Sequence, residues 1–216
     1  MYLQTLVSAI VSSAVIGAVV SQLFSLWRER REQKRDATML ALDVAETLER
    51  YTRACAQMVV DGRAARNQGE YMHDYSPLSE VSLPEFSYSD SVVWKGLGRS
   101  LVAELREFPN AYVAARRRVY VNSEHEDPFD VMWEEELEAA ILGQRAWALA
   151  VKVRQQYAWP EAEKHERGVW DIHKALAEKI EDNERRLARQ EAGNSDISAL
   201  FAGAAEDSPN QTPSAT

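Results

Sequence analysis

The chain has 216 residues, a formal net charge of −9 and a single cysteine, with 45% hydrophobic and 27% charged residues. That length suffices for one domain with a real core or for an array of helices, and the lone Cys55 excludes an internal disulfide framework and fits a reducing compartment. Because the acidic chain gathers basic residues beside one apolar stretch, it has no surplus positive field to displace counterions along phosphates, which argues against nucleic acid as a partner.

From Leu3 to Trp27 no side chain is charged. Twelve residues between Leu3 and Leu26 are Leu, Ile, Val or Phe, each worth roughly −0.3 to −0.6 kcal/mol at the centre of a membrane helix. Ser8, Ser12, Ser13 and Ser21 can bond back to helix carbonyls, and Gln4 and Gln22 lie towards the ends. At about 1.5 Å per residue the stretch outreaches a hydrocarbon core of about 30 Å, with Trp27 where an interfacial aromatic belongs. Residues 1–27 are therefore expected to form a transmembrane anchor. A cleaved signal peptide would carry its positive charges before a shorter apolar run. Ala9, Ser13, Gly17 and Ser21, spaced by four, put small side chains on one helix face and predict a surface for helix packing, with a second copy of the chain as a candidate partner.

Arg28, Arg30, Arg31, Lys34 and Arg35 follow at once, so residues 28–36 form a basic juxtamembrane segment. Basic residues are retained on the inner side, which predicts a single-pass protein of the inner (cytoplasmic) membrane with its N-terminus outside and its C-terminal domain cytoplasmic. Anionic lipid headgroups are the expected partners of these five side chains.

Ala37, Ala41, Val44, Leu48, Tyr51, Cys55 and Met58 then recur at spacings of three and four, the seam of an amphipathic, coiled-coil-like helix. One continuous helix is predicted from Leu3 to Asp61, ended by Gly62. From 62 to 90 the periodicity fails and Gly69, Pro77 and Pro84 mark an irregular loop, yet Tyr71, Tyr75, Phe86 and Tyr88, with Trp94 just beyond, predict that part of it packs on the helices. A second helix is expected over Val92 to Asn122, with Leu97, Leu101, Leu105, Phe108, Tyr112 and Val119 near one face and Pro109 bending or breaking it. Asp127 and Pro128 read as the cap and first residue of a third helix running to Tyr157, with Trp133, Leu137, Ala140, Ile141, Gln144, Ala148 and Val151 inward. A fourth helix is predicted from Pro160 to Gln190, with Trp170, Leu176, Ile180 and Leu187 inward. Its polar face would pair Glu163 with Arg167, Glu181 with Arg185 and Asp182 with Arg186. The composition of 191–216 predicts a disordered tail in which Ile197, Leu200 and Phe201 form a docking segment.

No constellation demands a reaction. The one Glu-x-x-His, Glu70 to His73, falls in the loop, and His125, His165 and His173 lack a spacing that pairs two imidazoles on one helix face. The acidic run from Glu124 to Glu138 lacks the turn glycine and ligand order of a calcium loop and is expected to solvate a helix start and offset Arg116, Arg117 and Arg118. Gly96-Leu97-Gly98 has neither the lysine nor the hydroxyl of a phosphate loop, and there is no G-x-S-x-G.

The runs Leu83-Pro84-Glu85-Phe86, Val93-Trp94-Lys95-Gly96-Leu97 and Phe108-Pro109-Asn110 resemble those of uncharacterised bacterial single-pass membrane proteins with a cytoplasmic all-helical domain, over residues 37 to 157. The resemblance implies an all-helical fold and carries no catalytic residue. The expected fold is thus all-α: an N-terminal transmembrane helix continuing into a long helix that packs with two or three further helices as an elongated bundle, the cytoplasmic domain occupying 37–190. The expected function is a membrane-anchored interaction or scaffolding module with protein partners, no catalytic site, no cofactor and no metal. The alternatives are a spanin-like phage lysis protein with periplasmic helices and a membrane-tethered enzyme.

Overall fold

The computed structural model describes residues 2–89, 92, 94–160 and 171–206, with side chains over 21–89, 92, 94, 96–160 and 171–193. The described residues form four α-helices and no strand: α1 (Tyr2–Met72), α2 (Arg99–Ser123), α3 (Pro128–Gln156) and α4 (Ile172–Glu206), with 3-10 turns at Ser76–Glu80 and Trp94–Gly96. Two units are built from them, the first from Met1–Thr52, Glu85–Ala115 and Arg145–Glu163, the second from Arg53–Pro84, Arg116–Gln144 and Lys164–Thr216.

In the first unit the spacings read from the sequence hold. Ala37, Ala41, Val44, Leu48 and Tyr51 of α1 and Leu101, Leu105, Phe108 and Tyr112 of α2 are all buried, with Ala146, Leu149 and Val153 from α3. The segment before α2 closes the unit with rings. Phe86 lies 4.6 Å from Phe108 and 4.9 Å from both Tyr51 and Tyr88, all edge-to-face. Each such pair adds about 0.5–1.5 kcal/mol beyond its burial.

Pro109 neither breaks nor ends α2, which continues through it to Ser123. A proline takes the amide donor from the carbonyl four residues back, here that of Leu105. The Tyr88 hydroxyl donates to that same carbonyl at 3.1 Å and replaces the missing bond. Burial pushes the Tyr88 phenol well above its ordinary range, so it remains a donor. At the other end of the unit, Ala158 has φ 53° and the Trp159 amide donates to the Arg154 carbonyl at 2.9 Å, which closes α3 in a left-handed cap.

In the second unit Cys55, Ala56, Met58 and Val59 of α1 are buried, as are Met132, Ala139 and Leu142 of α3 and Leu176 of α4. Gly62 does not end α1; the helix runs on to Met72, and the irregular chain begins after it rather than at 62. A Cβ on Gly62 would stand 2.8 Å from Glu136 Cγ and 3.1 Å from Met132 Sδ, so this glycine permits a close approach of α3 within the helix instead of terminating it. The true end is at His73, with φ 55°, where the Asp74 amide donates to the Gly69 carbonyl at 3.1 Å. The Asp74 carboxylate then accepts from the Ser76 amide at 3.0 Å and its hydroxyl at 2.7 Å, and these bonds hold its pKa below the ordinary range.

Asp127 caps α3 as its sequence position predicts, accepting from the Phe129 amide at 2.9 Å. The inward face of α3 differs from the expected one by about one position. Met132, Glu136, Ala139, Leu142, Ala146, Leu149 and Val153 are buried, whereas Ile141, Gln144 and Ala148 are exposed. The described start of α4 is Ile172, with Asp171 accepting from the His173 and Lys174 amides at 3.0 and 3.1 Å. Trp170, His165 and the Glu163 and Arg167 pair lie outside the described residues. Of the other expected pairs, Arg185 meets Asp182 at 3.9 Å, and Arg186 crosses to Asp130 of α3 at 2.7 Å instead of holding Asp182. Residues 191–206, expected to be disordered, belong to α4, since the alanines at 199, 202, 204 and 205 favour the helix.

Candidate interaction surfaces

Every residue from Ser21 to Asp36 is exposed, and burial on α1 begins at Ala37. This stretch carries Leu23, Phe24, Leu26 and Trp27 at 61%, 67%, 51% and 57% exposure, a heavy apolar load left largely uncovered among the described residues. Phe24 and Trp27 touch ring to ring at 5.8 Å. Arg28, Arg30, Arg31, Lys34 and Arg35 are all exposed. Arg28 Nε donates to Glu32 Oε1 at 3.0 Å, and the Arg31 guanidinium lies 5.5 Å from the centre of the Trp27 ring. Ser21 of the small-residue stripe is exposed, while Ala9, Ser13 and Gly17 lie outside the residues whose side chains are described. Among the described residues no helix is long and apolar enough to cross a membrane; the side chains of 3–20, most of the uncharged run, lie outside them.

The second unit encloses a charged centre that hydrophobic periodicity did not reveal. Glu136 is fully buried and accepts from Arg66 at 2.7 and 3.0 Å and from Lys179 at 2.5 Å. The face of Trp133 collects three cations, the Lys179 ammonium at 3.4 Å and the Arg66 and Arg186 guanidinium carbons at 4.7 and 5.1 Å. One carboxylate therefore serves two cations, and the ring quadrupole contributes the remaining attraction. Burial lowers the Lys179 pKa to about 8, against the pull of Glu136. A cleft of about 630 Å³ opens beside this centre, lined by Arg66, Glu70, Asp130, Trp133, Arg186 and Arg189 among others. Within its lining Arg186 pairs with Asp130, while Arg66 is held by Glu136 behind it and Arg189 donates to the Arg185 carbonyl.

Of the acidic run, Glu138 takes Arg118 at 2.6 and 2.8 Å and Glu134 takes the Asn122 amide, so the offset of one of the three arginines occurs through a bidentate pair. Glu70 and His73 serve the helix end: the His73 ring sits 2.8 Å from the Glu70 carbonyl. No group of three His, Cys, Asp or Glu that could hold a metal is present among the described residues. The first unit has its own buried pair, Arg154 with Glu49 at 2.5 and 3.0 Å. Periodicity missed Glu49, Glu136, Arg154 and Lys179 because it counts charged residues as outward; the signal available was that Glu136 falls on the helical phase of Met132, Ala139 and Gly143.

No family model, no curated protein and no solved structure matches the chain.

Proposed function

We propose that the chain is a single-pass protein of the inner membrane, N-terminus outside, whose helices from Ala37 onward act in the cytoplasm as an interaction or scaffolding module for other proteins. The observation that carries this reading is the run from Ser21 to Asp36, which exposes four large apolar side chains on a helix and then five basic ones. Water is a poor environment for that apolar load, and a bilayer interface, apolar beneath and anionic above, suits both halves of it. The uncharged residues 3–20 extend the same helix in the direction the anchor requires. Support for an interaction role comes from the further exposed apolar side chains Val113, Tyr120, Val121, Ile141 and Leu187 on the helices beyond the anchor.

Carbonate extraction of membranes from cells expressing the full chain, followed by fusions at Gln190, tests the reading. Retention in the pellet, with fluorescence from a cytoplasmic reporter and no alkaline phosphatase activity, is expected. Recovery of the unprocessed chain in the supernatant would overturn the anchor, and phosphatase activity at Gln190 would overturn the orientation.

A further inference from the structure

The five basic residues after Trp27 are not equivalent. Arg28 is engaged by Glu32, whereas no carboxylate is paired with Arg31 or Arg35 among the described residues. Trp27, Arg31 and Arg35 are spaced by four, so they follow one another along one side of α1, with Phe24 a turn before and the Arg28–Glu32 pair beside them. Arg30 lies on a different side, about 100° from Arg31.

Direction matters as much as position. Side chains on a helix lean towards its N-terminus, which for α1 is the bilayer side in the topology proposed above. The Arg31 guanidinium displays this lean, reaching back a full turn to stand over Trp27. A cation–π contact of this kind uses the ring face and does not consume the guanidinium N–H donors. Arg35, one turn further out, lines the same surface depression as Arg31 and Trp27. Two guanidinium groups with no carboxylate partner among the described residues, one of them over Trp27, offer donors to a phosphate oxygen set, and in the proposed topology the bilayer supplies phosphates at that depth.

We propose that Trp27, Arg31 and Arg35 form a clamp for the phosphate of an anionic phospholipid in the inner leaflet, an inference that rests on the anchored topology. Arg30 and Lys34 contribute only diffuse attraction. The clamp would make the chain carry a bound lipid rather than float in an averaged headgroup field.

The test is native mass spectrometry of the full chain released from detergent micelles containing equal phosphatidylglycerol and phosphatidylcholine. The wild-type chain should retain phosphatidylglycerol preferentially. Arg31→Gln with Arg35→Gln should reduce that preference at least tenfold, since even one charge-assisted hydrogen bond is worth about that much. Arg30→Gln with Lys34→Gln removes the same charge at nearly the same depth and should change it less than about twofold, the scale of diffuse attraction once screened. Arg31→Lys with Arg35→Lys keeps the charge but has no fork, and should lower the amount of phosphatidylglycerol retained several-fold even where the preference persists. Equal losses in the two glutamine doubles, or none in the first, would overturn the clamp while leaving the anchor intact. A wild-type chain that washes out of carbonate-treated membranes would overturn the anchor itself.

Discussion

Around Phe86 the first unit fills its centre with the rings of Tyr51, Tyr88 and Phe108, whereas the second places Glu136, Lys179 and Arg66 where a core ordinarily holds leucine. Ring contacts are short-ranged, and loosening one forfeits dispersion without stranding a charge. A buried carboxylate held by two cations tolerates much less: desolvation has already been incurred, and only good geometry compensates it. The same helices α1 and α3 serve both centres, so the contrast lies in side-chain chemistry rather than in fold.

The sharpest way to break that contrast is Glu136→Ala, which leaves two cations in the second unit without their carboxylate. It should cost about 3–5 kcal/mol in urea unfolding. Adding Lys179→Met should recover part of this, because an unpaired buried charge is then gone. Phe108→Leu in the first unit removes a ring but strands no charge and should cost less, about 1–3 kcal/mol. A Phe108→Leu cost equal to that of Glu136→Ala would show that the two centres respond alike.

Gly62→Ala comes next. Alanine favours a helix by about 1 kcal/mol, yet its Cβ would press on Glu136 and Met132, so a net loss of about 1–3 kcal/mol is expected. Gly193→Ala on α4 meets nothing within 4 Å and should gain the propensity term instead.

The Lys179 ammonium gives a pH signature. Its folded pKa is about 8 against an ordinary 10.5, so between these values the unfolded chain holds a proton that the folded chain has released. Stability contributed by this group therefore rises with pH across that window, by at most about 1.4 kcal/mol per pH unit. The difference between the wild-type chain and Lys179→Met, followed by urea midpoint from pH 7 to 10, should show this rise; a falling difference would contradict it.

Tyr88→Phe is the mildest, at about 1 kcal/mol for one hydrogen bond in the first unit. In a Pro109→Ala background, where the helix regains its own donor to the Leu105 carbonyl, the same change should cost less. A double-mutant cycle with no coupling would refute the replacement of the missing bond by Tyr88.

The all-α class, the seam from Ala37 to Met58 and the face from Leu97 to Val119 were legible because apolar residues at three-and-four spacing nearly define a buried stripe. The reading failed where local and tertiary signals conflict. Gly62 resembles a stop until the approach of Glu136 is known, and Pro109 resembles a break until a hydroxyl far away in sequence supplies the lost donor. The α3 face was misplaced because Glu136 occupies an inward position that only Arg66 and Lys179, from other helices, make habitable. The basic segment was legible as a group; the inequality among its members was not, since it depends on which guanidinium meets Glu32 and which meets Trp27.

Because α1 passes from Trp27 to the buried seam at Ala37 without interruption, azimuth at one end is geared to azimuth at the other. One residue inserted before Ala37 would swing Trp27 and its arginines about 100° around the axis, while seven would return them to within about 20°. Spacer length in this stretch thus sets the compass bearing of Trp27 and its arginines relative to the buried seam of the first unit.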